Sequence, residues 1–381
     1  MAIHRIGILD LGGEYRSVQP RVEAAVLEVL RSGAYIGGPA VEGLEERVAR
    51  LCGARFGVGV ASGTDALLLP LTALGLGPGD EVITTPFTFF APTEVVLMRG
   101  ARPVFVDIDP ATFNLDPAAA AAAITPRTVG ILPVHLFGGP ADMTALAAIA
   151  ARHSLWILED AAQAIGAAHA PAPSAPGRPV GSFGLAAGLS FYPTKNLGTA
   201  GDGGMVVTND EALAARLRLL RNHGNPGDYT YQTLGFNSRL DALQAAILSV
   251  KLDCLEEWTE ARRRYARVYN ERLAGLPLVL PHERAGDRHV YHQYTVRTAL
   301  REALCRWLDV AGIDTRVYYP APLHTQPACA SLGYRAGQFP EAERACREVL
   351  SLPVHSQLTA AQLDRVVQAI RQFFQERNPN D

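Results

Sequence analysis

The heptapeptide Ser190-Phe191-Tyr192-Pro193-Thr194-Lys195-Asn196 lies between a predicted strand and a glycine-rich segment. It contains one of only two lysines among the 35 lysine and arginine residues of the chain; the other is Lys251. A lysine amine can lose its proton and attack a carbonyl carbon to form a Schiff base, whereas a guanidinium stays protonated. A general bias toward arginine would also leave few lysines, so scarcity alone does not assign this role to Lys195.

Strands and helices alternate along the sequence that precedes this heptapeptide. The pattern predicts strands at 56–61, 81–85, 103–107, 128–133 and 155–158, and helices at 18–31, 41–51, 65–74, 117–124 and 141–153. Such alternation predicts an α/β fold with a mostly parallel sheet and helices on both faces. Ligands of such sheets bind at the carboxyl ends of the strands, where the polar residues after strands 56–61 and 155–158 are expected.

The pattern changes after a long helical tract predicted at 239–269. A strand at 294–297 is followed by predicted helices at 301–311, 341–350 and 360–376. We therefore predict a large domain, residues 1–251, and a smaller C-terminal α+β domain, residues 252–381.

The bulk composition excludes several classes of protein. Hydrophobic residues make up 48% of the 381 residues and the net charge is −3, which predicts a large core and no binding of nucleic acid. No apolar run is long enough for a membrane span, and the first residues lack the apolar core of a signal peptide, so we expect a cytoplasmic protein. The five cysteines form no Cys-x-x-Cys pair, so neither a disulfide framework nor a metal site is predicted.

The polar residues match the needs of a pyridoxal phosphate enzyme, which requires an amine and a carboxylate that keeps the pyridine nitrogen protonated. Lys195 is the candidate amine. Asp160 follows the apolar strand at 155–158, where a carboxylate needs a cationic partner, although a helix cap or a structural ion pair would also explain it. Gln163 would share the face of Asp160 if a short helix begins there, and its amide could then donate to the phenolate oxygen of the cofactor.

The cofactor also needs a phosphate site and a flat group against its ring. Ser62, Gly63 and Thr64 lie between a strand and a helix, where free backbone N–H groups bind phosphate, although such residues are also ordinary N-caps. Ser190 could add a hydroxyl to the same site. Phe89 could stack on the ring, or it could be a core aromatic.

These segments together resemble the DegT/DnrJ/StrS sugar aminotransferases, within the fold-type I, aspartate aminotransferase-like superfamily. Order and spacing hold over nearly the whole chain, and the combination is far more specific than any one motif. The matching segments are residues 61–67, 79–83, 86–89, 104–109, 159–163, 190–196, 201–204, 235–241 and 319–324.

The resemblance implies a role for each matching residue. Residues 1–251 would be the cofactor-binding domain of a fold-type I enzyme, and Lys195 would form the Schiff base with pyridoxal phosphate and move protons. The other implied contacts are Asp160 with the pyridine nitrogen, Gln163 with the phenolic oxygen, Ser62, Gly63, Thr64 and Ser190 with the phosphate, and Phe89 over the ring.

The resemblance also implies a homodimer with shared active sites. In this family the asparagine of Gly-x-Asn-x-Arg, here Asn237, reaches the phosphate bound by the neighbouring subunit. Arg239, Tyr319 and His324 would then lie near a sugar nucleotide. Arg239 could bind a C6 carboxylate in a bidentate manner, or it could be structural.

The predicted activity is the transfer of an amino group from glutamate to a nucleotide-linked keto sugar, which supplies an amino sugar for glycan or natural-product biosynthesis. Residues 318–328 look most similar to enzymes that aminate the 3-keto position, while amination at C4 stays open. Related sugar dehydratases have histidine in place of Lys195, so transamination is favoured over dehydration. A regulatory relative that binds the cofactor without turnover is a further alternative.

Overall fold

The computed structural model describes residues 5–377, and a seven-stranded sheet forms its centre. Two shorter sheets of two strands each accompany it. In chain order, the strands of the described residues are β1 (Phe56–Val60), β2 (Glu81–Thr84), β3 (Arg102–Phe105), β4 (Thr128–Ile131), β5 (Trp156–Asp160), β6 (Ala168–His169), β7 (Arg178–Pro179), β8 (Ala186–Ser190), β9 (Gly204–Thr208), β10 (Tyr294–Arg297) and β11 (Val349–Leu352).

Helices cover both faces of the large sheet and build most of the C-terminal part. Several begin at an Asp, Ser or Thr whose side chain accepts a backbone N–H of the first turn, which is the preferred N-cap chemistry. The helices are α1 (Leu11–Ser32), α2 (Pro39–Leu51), α3 (Gly63–Ala73), α4 (Ala91–Met98), α5 (Pro117–Ala122), α6 (Met143–His153), α7 (Glu211–Leu220), α8 (Ala242–Leu252), α9 (Leu255–Leu273), α10 (Arg301–Val310), α11 (Pro340–Glu348) and α12 (Ala360–Gln375).

The strand order of the large sheet is β1-β9-β8-β5-β4-β2-β3. β9 pairs antiparallel with both of its neighbours, and the remaining pairs are parallel. The predicted α/β fold with a mostly parallel sheet is therefore confirmed. Because β1, β8, β5, β4, β2 and β3 run in one direction, their carboxyl ends meet at one edge of the sheet, where β9 begins.

Side-chain alternation along the strands separates two apolar layers. One layer packs the sheet against α1, α2 and α8, and its members include Leu44, Leu189 and Leu248. The opposite layer packs it against α3, α4 and α7, through residues such as Leu69, Val95 and Leu217. Both faces of the strands are thus buried, which is the expected state of a parallel sheet.

A separate core lies in the C-terminal part, between the β10–β11 ladder and helices α9, α10 and α12. Tyr269, Tyr294 and Phe373 are fully buried in it, and Ile6 joins it beside Ile313. The predicted boundary at residues 251 and 252 falls in the last turn of α8, and it stays a prediction. None of the helices in residues 5–377 has the length and apolar character that crossing a bilayer demands.

Two helix predictions were wrong in detail. The tract at 239–269 is two helices, because the chain leaves helical pairing at Asp253 and Cys254 between α8 and α9. The helix predicted at 341–350 ends at Glu348, and the following Val-Leu-Ser-Leu segment pairs with β10. The pairing of β11 with β10, which helical periodicity does not report, decides where the second of these helices ends.

Candidate active site

A cavity of about 730 Å³ opens at the carboxyl edge of the sheet. It is lined by the β1–α3 turn, the end of β5, the β8–β9 loop, and segments near residues 292 and 319. The predicted site residues that line it are Ser62, Gly63, Thr64, Phe89, Asp160, Gln163, Ser190, Lys195 and Tyr319.

The loop between β8 and β9 places Lys195 in this cavity. Phe191 and Thr199 close the base of the loop, since both the N–H and the hydroxyl of Thr199 donate to the Phe191 carbonyl at 2.8 Å. A turn at the tip is held by the Lys195 N–H, which donates to the Tyr192 carbonyl at 2.8 Å. Across residues 5–377 no group accepts a hydrogen bond from the Lys195 amine, so the amine is available to a ligand.

The carboxylate of Asp160 is buried at the end of β5, where backbone bonds hold the strand tightly. The backbone N–H of Asp160 donates to the Pro133 carbonyl at 2.8 Å, and the backbone carbonyl of Asp160 accepts the His135 N–H at 3.0 Å. The side chain accepts the Ala162 N–H at 3.0 Å. The preceding Glu159 is fully buried and accepts His135 Nε2 at 3.1 Å, so the end of the strand is rigidly supported.

Burial disfavours the charged forms of both Asp160 and Lys195. Burial is the largest influence on Asp160 and raises its pKa. The hydrogen bond from the Ala162 N–H and the charges of Lys195 and His135 act in the opposite direction and lower that pKa. Burial also lowers the pKa of Lys195 from 10.5 to about 8, while the charge of Asp160 raises it. A pKa near neutrality suits a group that accepts and donates protons.

The β1–α3 turn forms a cradle for an anion. Ser62 caps α3 by accepting the Asp65 N–H at 3.1 Å, while the N–H groups of Gly63 and Thr64 have no acceptor within the described chain. A Cβ at Gly63 would lie 2.6 Å from Cβ of Ser190, so only glycine allows these two walls to approach. Unpaired N–H groups at a helix N-terminus bind phosphate.

Gln163 reaches the cavity from a turn, and no helix begins there. The N–H of Phe137 donates to Oε1 of Gln163 at 2.7 Å, which orients the other end of the amide. Nε2 then donates to the Tyr319 hydroxyl at 3.2 Å, at the wall of the cavity. The amide nitrogen of Gln163 therefore lies at the cavity wall beside Tyr319, and its predicted contact with a phenolate oxygen stays a prediction.

Sequence reasoning did not assign the other residues that line the cavity, and polar side chains among them include Tyr192, Thr88 and His292. Tyr192 lies three residues before Lys195 in the heptapeptide and is 52% exposed. Thr88 precedes Phe89, and its buried hydroxyl has no partner in the described structure. His292 comes from the C-terminal side, where no motif marked it, and its Nδ1 lies 3.2 Å from Oδ1 of Asn196.

The remaining predicted residues do not meet Lys195 within one chain. Asn237 is exposed, and Arg239 lines a different cavity of about 900 Å³, where it donates to Asn222 Oδ1 at 2.7 Å. His324 is buried with its Nε2 3.1 Å from Oε1 of Glu343. The cofactor-binding role of Asn237 and the substrate-binding roles of Arg239 and His324 stay predictions.

The model of the DegT/DnrJ/EryC1/StrS aminotransferase family matches residues 17–371. This chain belongs to that family. The family predicted from the sequence is confirmed, and so is the predicted class of enzyme, an aminotransferase.

Curated members of the family align with this aminotransferase over nearly its whole length. A "pleiotropic regulatory protein" of Geobacillus stearothermophilus is 50% identical over 97% of this chain and 98% of its own. The dTDP-3-amino-3,4,6-trideoxy-alpha-D-glucose transaminase of Streptomyces venezuelae is 46% identical over 97% and 96%. The UDP-N-acetyl-3-dehydro-alpha-D-glucosamine 3-aminotransferase of Acidithiobacillus ferrooxidans is 45% identical over 96% and 97%.

Solved structures of family members have the same fold. DesV of S. venezuelae, crystallised in complex with a ketimine intermediate, superposes with a TM-score of 0.93 at 46% identity, covering 97% of this chain and 98% of DesV. NtdA of Bacillus subtilis, with bound cofactor PMP, superposes with a TM-score of 0.89 at 32% identity, covering 98% and 86%. The cavity described above thus belongs to an aminotransferase scaffold.

Proposed function

We propose that this aminotransferase uses pyridoxal phosphate to transfer an amino group from glutamate to a nucleotide-linked 3-keto sugar. The observation that carries the proposal is the convergence of the Lys195 amine, the buried Asp160 carboxylate and the Gly63 cradle in one cavity. The names of the relatives from S. venezuelae and A. ferrooxidans, both of which refer to position 3 of a nucleotide-linked sugar, support the choice of substrate.

The residues fit the proposed cofactor. The N–H groups of Gly63 and Thr64 would hold its phosphate. Ser190 would add a hydrogen bond, because its Oγ accepts the Tyr192 N–H at 3.3 Å and keeps its own proton to donate. Asp160 would hold the pyridine nitrogen protonated, and that cation would offset the burial of the carboxylate. When bound, pyridoxal phosphate supplies an electron sink for carbanion chemistry.

Lys195 carries the proton transfers in the proposed reaction. With a pKa of about 8, its amine takes the proton from the α-carbon of glutamate and later delivers a proton to the carbon of the sugar that receives nitrogen. Gln163, held by the Phe137 N–H, keeps an amide donor directed at the cofactor's phenolic oxygen. Such positioned general acid–base catalysis typically contributes about 10²–10⁴-fold in rate.

The sugar nucleotide would extend from Lys195 past Phe89 and Tyr319. A neighbouring cavity of about 460 Å³ shares Thr88, Phe89 and Tyr319 with the first one. The unpaired Thr88 hydroxyl offers a hydrogen bond there. A panel of 3-keto and 4-keto sugar nucleotides tests the position; faster amination of 4-keto substrates would contradict the 3-keto assignment.

Two copies of the chain would complete two active sites in the proposed dimer. Tyr229, Tyr231 and Leu234 are 86%, 65% and 93% exposed, which is unusual for large apolar side chains. They precede Asn237, which is exposed and does not line the cavity of its own chain. Sedimentation of the holoenzyme tests this proposal, with a monomer as the contradicting result.

Lys195→Ala and reductive trapping test the proposed chemistry directly. Borohydride reduction of the holoenzyme should add the cofactor mass to the peptide that carries Lys195. Lys251 is the internal control because it is buried in an ion pair. Lys195→Ala should abolish turnover, and substantial retained turnover would refute the assignment.

A regulatory protein without turnover is the second candidate, supported by the name of the G. stearothermophilus relative. Bleaching of the cofactor's visible absorbance by glutamate, with formation of 2-oxoglutarate, excludes it.

We also propose a cytoplasmic location, which agrees with five free cysteines.

A further inference from the structure

The second lysine of the chain lies behind the loop that carries the first. Lys251, in the last turn of α8, is buried, and its ammonium nitrogen lies 2.8 Å from Oε1 of Glu14 in α1. The same nitrogen donates to the carbonyl oxygen of Gly198 at 2.7 Å. Gly198 is three residues after Lys195, so one ammonium joins two helices to the catalytic loop.

We propose that Lys251, held by Glu14, is a positioning residue that fixes the Phe191–Thr199 loop and thereby sets the place of the Lys195 amine. This inference rests on the proposed role of Lys195 but not on the identity of the sugar. Lys251 itself does not line the cavity, so it acts only through the loop.

Contacts inside the loop transmit the position of Gly198 to Lys195. A Cβ at Gly198 would lie 2.5 Å from the Pro193 carbonyl oxygen and 3.0 Å from the Tyr192 carbonyl oxygen, so these backbone segments are in close contact. The Tyr192 carbonyl is the acceptor of the Lys195 N–H. A shift of Gly198 therefore displaces the turn that carries the amine.

The chemistry of an ammonium suits this place. Its tetrahedral N–H groups can meet the Glu14 carboxylate and the Gly198 carbonyl from a single nitrogen, whereas a guanidinium spreads its donors over a planar fork. Lysine stands here in a chain that uses arginine at every cationic position other than 195 and 251.

A third buried charge extends the same cluster to the chain segment that precedes His292. Arg262 of α9 interacts electrostatically with Glu14. Its NH1 group donates to the carbonyls of Val354 at 2.6 Å and Tyr291 at 3.4 Å. Tyr291 precedes His292, which lines the cavity, so the cluster also contacts the segment that brings His292 beside Lys195.

The main test is the double variant Glu14→Gln/Lys251→Met, which removes both charges of this ion pair, so that neither partner stays buried as an ion without the other. The matched control is Glu81→Gln/Arg127→Met, which removes an ion pair of 2.7 Å with a similarly buried carboxylate at the opposite edge of the sheet. We expect kcat of the first holoenzyme to fall about tenfold or more, because misplaced catalytic groups lose rate steeply, with KM for the sugar nucleotide nearly unchanged. The control should keep wild-type kcat.

Two measurements on the cofactor-free full chain separate positioning from general stability. Hydrogen exchange should accelerate in the peptide 191–199 in the first double variant and not in the control. The Lys195 amine faces Asp160 and His292. The pH at which its acetylation by acetic anhydride is half-maximal should rise in the first double variant, because the displaced amine reaches water. These readouts remain valid even if reductive trapping finds no cofactor on Lys195, so failure of the proposed function is distinguishable.

The proposal would be overturned if the folded double variant kept the wild-type kcat, the wild-type hydrogen exchange of peptide 191–199 and the wild-type pH midpoint of Lys195 labelling. An equal loss of kcat in the control would overturn it as well. If the double variant does not fold, Lys251→Arg decides, because it keeps a cation opposite Glu14. We expect a folded protein with faster loop exchange and reduced kcat; wild-type values for both would overturn the proposal.

Discussion

The pKa of the Lys195 amine can be measured by direct titration. Burial lowers the pKa of this amine from 10.5 to about 8, and the Asp160 charge is the opposing influence that raises it. The first perturbation is pH, applied to the cofactor-free full chain. The second is Asp160→Asn, which removes the negative charge while keeping the size of the side chain. Without that charge the pKa of Lys195 should fall below its wild-type value.

The size of the effect follows from the fraction of neutral amine. At pH 7 a pKa of about 8 leaves about one-tenth of the amine neutral, whereas an ordinary lysine is neutral in only about 1 molecule in 3,000. Because only the neutral form attacks an acylating reagent, Lys195 should react roughly 300-fold faster at pH 7 than an ordinary exposed lysine of equal intrinsic reactivity.

Competitive trace acetylation with acetic anhydride, read by peptide mass, measures this rate across a pH series. Lys251 reports background labelling of a buried, ion-paired amine in the same molecules. A wild-type midpoint near that of an ordinary lysine would refute the argument from burial. A midpoint that stays or rises in Asp160→Asn would refute the argument from the neighbouring charge.

Three other substitutions have defined outcomes. Gly63→Ala should fold but lose cofactor retention on a desalting column, because its Cβ would lie 2.6 Å from Cβ of Ser190 and fill the phosphate cradle; full retention would contradict the cradle. Thr359→Ala removes the bond that the Thr359 hydroxyl accepts from the Gln362 N–H in the capping box of α12, and it should lower the free energy of unfolding in urea by about 1 kcal/mol, whereas no change would mean that this cap is dispensable. Tyr269→Phe should cost about 1–2 kcal/mol in the same assay, because it leaves the buried Pro353 carbonyl without its 2.9 Å donor; an unchanged midpoint would show that another donor replaces it.

Local sequence patterns were sufficient for most of the large sheet. Apolar runs that alternate with helical periodicity identified β1 to β5 near their observed bounds, because strands buried on both faces and amphipathic helices differ in the spacing of apolar residues. Many residues that line the cavity at the carboxyl edge were also predictable as candidate site residues. They stand where strands end, and parallel strands bring their carboxyl ends to one edge of the sheet.

Contacts between distant segments were not predictable in this way. The orientation of Gln163 depends on the N–H of Phe137, and the place of His292 depends on Asn196, about a hundred residues earlier. The pairing of β11 with β10 also depends on neighbours in space.

The two lysines illustrate this division. The sequence alone determined that Lys195 stands in a motif after a strand, because both the motif and the strand are local patterns of residues. Only the tertiary structure brought Lys251 to Gly198 and Glu14, because residues 14, 198 and 251 become neighbours only when the helices pack on the sheet. Packing of long-range partners is a property of the folded chain, and no spacing along the sequence records it.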